Sequence, residues 1–271
     1  MVSVDGSVGW DGHLVLLHHS ERERRSGVVA WVRRGLDLGA KILYIEPRQE
    51  SAERSLMGVL KEHAVDTAEA TERGQLQVIP ANDGTYSPTW QESVVDEALA
   101  GGYPTVRWSG EASTAWSVMS QSVHADIEWA TDELCHTRPV SILCQYSSGL
   151  TQETLQTVNA MHGDGLREWL LQTFPIPGGI ALAGEVDASN AKLLDAALLA
   201  AISAAGQESF VVELSGLDFL DCAGARALMA GTTAHRTRGG RVCLRAARDP
   251  VDRVLHLLNV DRVPGVRVEG L

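Results

Sequence analysis

Short apolar blocks alternate with segments of helical period along the first 160 or so residues. His13–His18 (HLVLLH) predicts a buried strand, and residues 20–38 predict a helix. Ser20 and Glu23 have capping-box spacing, Val28, Val32 and Leu36 recur every four residues, and Gly39 is placed to end that helix. Residues 40–46, 76–80, 105–109 and 140–145 predict four more strands. Helices are expected at about 51–63, from a loop holding Asn82, Asp83 and Gly84 to about 100, in two segments over 111–135, and at 152–161. Continuous apolar strands separated by helices imply a largely parallel sheet covered on both faces. Ligands on such sheets sit beyond the carboxyl ends of the strands. Here those ends carry His18 and His19, Glu46, Ser109 to Glu111, and Gln145 to Ser147.

The pattern changes near His162, Gly163, Asp164 and Gly165, which sets expected domains at 1–165 and 166–271. Residues 170–175 and 180–184 predict a hairpin turning through Pro177, Gly178 and Gly179. A helix from about 189 carries Leu193, Leu194, Ala197, Leu198, Ala201 and Ile202 as one apolar stripe. A strand at 210–214, a helix from Cys222, a strand at 241–245 and a helix capped by Asp249 and Pro250 complete a small α/β domain with a mixed sheet.

Composition narrows the function classes. The net charge is -12, which argues against a nucleic-acid footprint. Arg22, Arg24, Arg25, Arg33 and Arg34 cluster, and are expected to form a solvated helix face. No apolar run approaches the roughly 18 residues of a membrane helix, and residues 1–11 lack the organisation of a secretory leader. Cys135, Cys144, Cys222 and Cys243 are scattered without a C-x-x-C pair, so a reducing cytoplasm fits. The phosphate loop G-x-x-x-x-G-K-[ST], G-x-G-x-x-G, H-E-x-x-H and G-x-S-x-G are all missing. His18 and His19 lack a third ligand at helpful spacing. No catalytic residue, cofactor or metal is therefore expected, and binding is favoured over catalysis.

The segment VVELSGLDFLDCAG at 211–224 runs from a buried strand through a loop into a helix. It resembles the STAS family, the sulfate-transporter and anti-sigma-factor-antagonist domains, whose members read D-L-S-G-x-x-F, a hydrophobic residue, then D-[S/C/T]-[S/A]-G. Gly184, Glu185, Val186 and Asp187 resemble the family's earlier G-E-[L/V]-D turn, and the closing helix RVLHLLNVDR fits as well. The resemblance covers about 168–271. It implies a docking surface for an anti-sigma factor of the serine-kinase type, or for other STAS proteins, built from Asp187, Ser189, Asp221, Cys222, Ala223 and Gly224. In antagonist members the serine just before that glycine is phosphorylated. Here Ala223 stands there and has no hydroxyl.

Residues 8–165 resemble the MEDS sensory domain, named for regulators of methanogens and methylotrophs. The matching residues are Gly12, His13 and Leu14; Gly35 and Leu36 with the following L-Y-I; Gly74, Gln75 and Leu76; Gly110 to Ser113; and Leu143 to Tyr146, after which Ser147 replaces the usual aspartate. The resemblance implies a RecA-like, mostly parallel sheet without a phosphate loop, and a small-molecule ligand. Candidate pocket residues are His13, Arg107, Glu111, Glu128, Gln145 and Tyr146, with Arg107 expected to partner Glu111 and Trp108, Trp116 and Trp129 available as lining or core. Together the two resemblances imply a bacterial signalling regulator. The alternatives are a scaffold subunit of a multi-STAS assembly or a degenerate nucleotide-binding enzyme, and the apolar content allows a homodimer.

Overall fold

The computed structural model describes residues 11–270. The stretch 1–10, which holds most of the segment expected to lack a leader, lies outside the described residues. The described chain forms two compact units, 11–148 and 149–270. None of its helices is long and apolar enough to cross a membrane.

The N-terminal unit alternates strands and helices: β1 (His13–His18), α1 (Glu21–Asp37), β2 (Lys41–Glu46), α2 (Leu56–Glu62), α3 (Ala68–Glu72), β3 (Leu76–Pro80), α4 (Pro88–Ala100), β4 (Val106–Glu111), α5 (Ala112–Trp116), α6 (Gln121–Thr137) and β5 (Val140–Ser147). The strands lie in the order β1-β5-β4-β2-β3, and every pairing is parallel. Ser20 caps α1 by accepting from the Glu23 N–H at 3.3 Å, and Gly39 follows with φ +66°. The carboxylate of Glu23 reaches back one residue further than expected and accepts from His19 N–H at 2.7 Å. The helix expected from residue 51 begins only at Leu56. Ser55 supplies the cap, accepting from Gly58 N–H at 3.2 Å, and Leu56 is the first buried side chain of that segment. Two apolar clusters cover the sheet. Leu14, Leu16 and Leu143 pack with Val28, Trp31 and Val32 of α1 on one face. Ile142, Trp108 and Leu43 pack with Val95 of α4 and Leu134 of α6 on the other.

The C-terminal unit contains α7 (Gln152–Met161), β6 (Leu166–Arg167), β7 (Leu171–Ile176), β8 (Gly179–Val186), α8 (Ala191–Ala205), β9 (Ser209–Leu220), α9 (Cys222–Thr237), β10 (Arg241–Ala247), α10 (Asp249–Leu257) and β11 (Val266–Gly270). Its sheet is mixed, as expected. The pairs β6–β7 and β7–β8 are antiparallel, while β8–β9, β9–β10 and β10–β11 are parallel. The core joins Leu182, Leu198, Phe210, Leu214, Leu228 and Leu255. Helix α7 groups with this unit, where Gln152 Nε2 donates to Asp195 Oδ2 of α8 at 3.2 Å.

Besides the short β6, three features differ from the pattern-based expectation. β9 runs past 214 to Leu220, because shifts of register against β8 let it bend and continue. Asp249 sits in the first turn of α10 rather than capping it, and Arg248 occupies the cap. β11 has only five residues and was not anticipated.

Candidate functional site

Period-two alternation decides which residues of β1 and β5 meet. His13 lies opposite Ile142 and Leu14 opposite Leu143, so His13 shares a face with Cys144 and Tyr146, while Gln145 points to the other side. Helix α6 covers the His13 face. His124, Glu128 and Asp132 recur at four-residue spacing and so form one stripe of that helix.

The side chains converge on Glu128, which is 3% exposed. Its Oε2 lies 3.1 Å from His13 Nε2 and accepts from Cys144 Sγ at 3.3 Å. Its Oε1 lies 3.0 Å from His124 Nε2 and accepts from the Tyr146 hydroxyl at 3.2 Å. Asp132 Oδ1 lies 3.2 Å from the second ring nitrogen of His13. Burial alone would lower the pKa of His13, but hydrogen bonds and charge from Asp132 and Glu128 win and raise it to about 9. Burial, reinforced by the Glu128 charge, pushes both the Cys144 thiol and the Tyr146 phenol up. The site is thus an imidazole held between two carboxyl groups, with a thiol beside it.

A cavity of about 40 Å³ adjoins this cluster, lined among others by Glu128, Cys144, His124, Glu111, Trp108 and Tyr86. One water needs roughly 10–15 Å³ by this measure, so the space suits a few waters or a ligand of a few non-hydrogen atoms. It is far below the roughly 300 Å³ at which pockets for drug-sized molecules begin. The Tyr86 side chain is buried, and its hydroxyl has no hydrogen-bond partner among the described residues. Trp116 stacks edge-on with both His124 and Tyr146. Trp129 is exposed and lines nothing here.

Of the candidate pocket residues, His13, Glu128 and Tyr146 come together, and Glu111 lines the same cavity. Glu111 occupies the cap position of α5 without a side-chain capping bond, and its Oε1 lies 3.9 Å from His18 Nε2. Arg107 does not partner it. The Arg107 guanidinium binds Asp11 at 2.6 Å and lies 3.7 Å over the Trp31 ring. Burial brings its pKa down to about 10 against the opposing pull of Asp11. Both Arg107 and Glu111 belong to β4, and four residues of strand separate them by roughly 13 Å. Gln145 faces away from the cavity. It donates to Ser109 Oγ at 2.8 Å and to the Tyr44 hydroxyl at 3.4 Å, and accepts from Arg24 Nη1 at 3.3 Å. Arg24 is correspondingly buried, against the expectation of a solvated arginine face, and Glu21 pairs with it at 2.5 Å. Burial would raise the Glu21 pKa, but Arg24 and then Arg25 and Arg54 hold it at about 2. Cys144, His124 and Asp132 escaped the sequence reading. The four-residue stripe on α6 was the available signal for the last two.

The second candidate surface lies at the start of α9. Asp221 caps the helix by accepting from Gly224 N–H at 2.8 Å. Gly224 is required there, since an added Cβ would stand 2.6 Å from Leu220 Cδ1 and 2.7 Å from Val186 Cγ1. Cys222 and Phe219 are exposed, and Ala223 is half-buried. Asp187 and Ser189 form a neighbouring turn, in which Asp187 Oδ1 accepts from Ser189 N–H at 2.7 Å and from its hydroxyl at 2.5 Å. The corner thus presents Phe219 and Cys222 outward around a start of α9 made of small residues.

A family model described as MEDS, the methanogen/methylotroph, DcmR sensory domain, matches residues 12–163. The chain belongs to the MEDS family. A second model, described as Mlab, STAS domain, matches residues 170–268, so the chain joins a MEDS domain to a STAS domain. Solved structures similar to the STAS part include the unphosphorylated anti-sigma factor antagonist SpoIIAA, at 17% identity over 36% of this chain and 86% of that one, with a TM-score of 0.30. An anti-sigma factor antagonist from Mycobacterium paratuberculosis is similar at 22% identity over 36% and 83%, with a TM-score of 0.31. The flagellar accessory protein FlaH from Methanocaldococcus jannaschii is similar at 12% identity over 64% and 78%, with a TM-score of 0.44. A comparison with curated proteins finds no match.

Proposed function

We propose that the chain is a cytoplasmic, non-catalytic signalling protein of the anti-sigma-factor-antagonist type. In this reading the MEDS cavity takes a small ligand and the STAS domain docks an anti-sigma factor through the start of α9. The observation that carries the docking is the open corner itself: Phe219 is 47% exposed, and Cys222 is exposed beside a capped helix start of small residues. An exposed aromatic beside a helix N-terminus is the kind of anchor that dominates docking energies. The cavity supports a ligand of only a few non-hydrogen atoms, which disfavours a nucleotide there.

Capture of a purified serine-kinase anti-sigma factor by the full chain tests this. Binding is expected, and Phe219→Ala is expected to weaken it by about 10-fold or more, since an anchor residue is worth over about 1–2 kcal/mol. Equal binding by Phe219→Ala, or none by either chain, removes the reading.

Ala223 supports a second reading, in which the domain is a constitutive scaffold for other STAS proteins, because residue 223 offers no hydroxyl for a switch. Incubation with the kinase and ATP is then expected to leave 221–224 unmodified by mass spectrometry. Phosphate on Ser189, which is exposed, or on Ser215 would restore a relocated switch.

A further inference from the structure

The buried cluster in the MEDS domain has the make-up of a coordination site. Three side chains of different chemistry, an imidazole, a carboxylate and a thiol, bring polar atoms within hydrogen-bonding reach of one another. The distances are 3.1 Å between His13 Nε2 and Glu128 Oε2, 3.3 Å between Glu128 Oε2 and Cys144 Sγ, and 3.7 Å between Cys144 Sγ and His13 Nε2. Zinc bonds of about 2.0–2.3 Å to nitrogen, oxygen and sulfur, opened to tetrahedral angles, separate neighbouring ligand atoms by roughly 3.3–3.6 Å. The observed triangle is within a few tenths of an ångström of that.

The surroundings agree. A metal-bound histidine typically gives its other ring nitrogen to a carboxylate, and Asp132 stands 3.2 Å from that nitrogen. A ligating carboxylate is itself held by hydrogen bonds, and His124 and Tyr146 both engage Glu128 Oε1. A thiol is a weak donor with little to offer a structural hydrogen-bond network but much to offer a borderline-soft cation. The cavity reaches Glu128 and Cys144, and the buried Tyr86 hydroxyl on its wall has no hydrogen-bond partner among the described residues.

We propose that His13 and Cys144, on releasing the Nε2 and thiol protons to solvent, join Glu128 in binding a divalent ion of zinc type, with Asp132, His124 and Tyr146 orienting the ligands and the adjoining cavity admitting the small molecule that is sensed. This reverses the expectation of no metal drawn from His18 and His19. It rests on the MEDS reading for the cavity alone, and the capture experiment above can fail without touching it.

Cobalt(II) is the probe, added to the chelator-treated full chain. One equivalent is expected to produce the intense visible bands of tetrahedral cobalt together with a thiolate charge-transfer band, and zinc is expected to abolish both. Cys144→Ser should lose the charge-transfer band while Cys135→Ser keeps it, with far-ultraviolet circular dichroism reporting that each variant is folded. Asp132→Asn should weaken zinc binding about 10–100-fold. Absence of tetrahedral bands, or a charge-transfer band that survives Cys144→Ser, overturns the site. Should Cys144→Ser not fold, X-ray absorption of the zinc-loaded native chain decides. One sulfur at about 2.3 Å supports the site, and a shell of only nitrogen and oxygen overturns it.

Discussion

Glu128→Ala is expected to destabilise the MEDS domain by about 3–5 kcal/mol, the cost of removing one partner from a buried charged pair. Glu128 is 3% exposed and meets two histidines, a thiol and a phenol. Its loss leaves His13, whose pKa Asp132 and Glu128 together raise to about 9, with its Asp132 contact, and strips Cys144, His124 and Tyr146 of a common acceptor. Glu128→Gln, which preserves the shape, should cost less, since the amide keeps one acceptor oxygen. Urea unfolding of the full chain followed by tryptophan fluorescence checks both, because Trp116 and Trp108 stand beside the cluster. A midpoint for Glu128→Ala within error of the native chain would show that the carboxylate is not the hub described.

Gly184→Val should be comparably severe in the STAS domain. Gly184 has φ +92°, where a side chain is strained, and any Cβ would collide with the Leu170 carbonyl oxygen. The same oxygen accepts from Glu185 N–H at 2.8 Å, and the register of β8 against β9 shifts between Gly184 and Glu185. The glycine is therefore the bend that lets β8 pair on both sides. Strain in the backbone costs roughly 1–3 kcal/mol, and overpacking against a fixed carbonyl roughly another 1–3 kcal/mol. Loss of the STAS-domain transition in denaturant, or its shift to a clearly lower midpoint, is the expected measurement. An unchanged transition would mean the strand accommodates the branch.

The same residue illustrates how much the sequence disclosed. The G-E-V-D run was recognisable from its order, and the conformation explains why its first member is glycine. Strands and helices of the first domain were legible because parallel strands buried on both faces read as apolar blocks. The corner at 221–224 was legible for a similar reason: Asp221 and Gly224 are a cap and a close approach, both local. The buried cluster was only half legible. The sequence points to His13, Glu128 and Tyr146 but also to Gln145, which the strand's period of two turns away from Cys144 to the opposite face. The Arg107 pairing failed because side chains four residues apart on a strand share a face without touching. His13 lies 115 residues from Glu128 and 131 from Cys144, so no spacing rule of the kind used for local motifs could join them.

Those separations bear on how the protein is made. Within the N-terminal unit β1 pairs with β5, the first strand with the last. A chain growing from the ribosome has β2, β3 and β4 ready to associate well before β5 emerges, while β1 must wait. Closing so long a loop is slow relative to local pairing. The histidine cluster is thus completed at the end of synthesis of its domain, and a nascent chain that stops before β5 lacks its Cys144 and Tyr146.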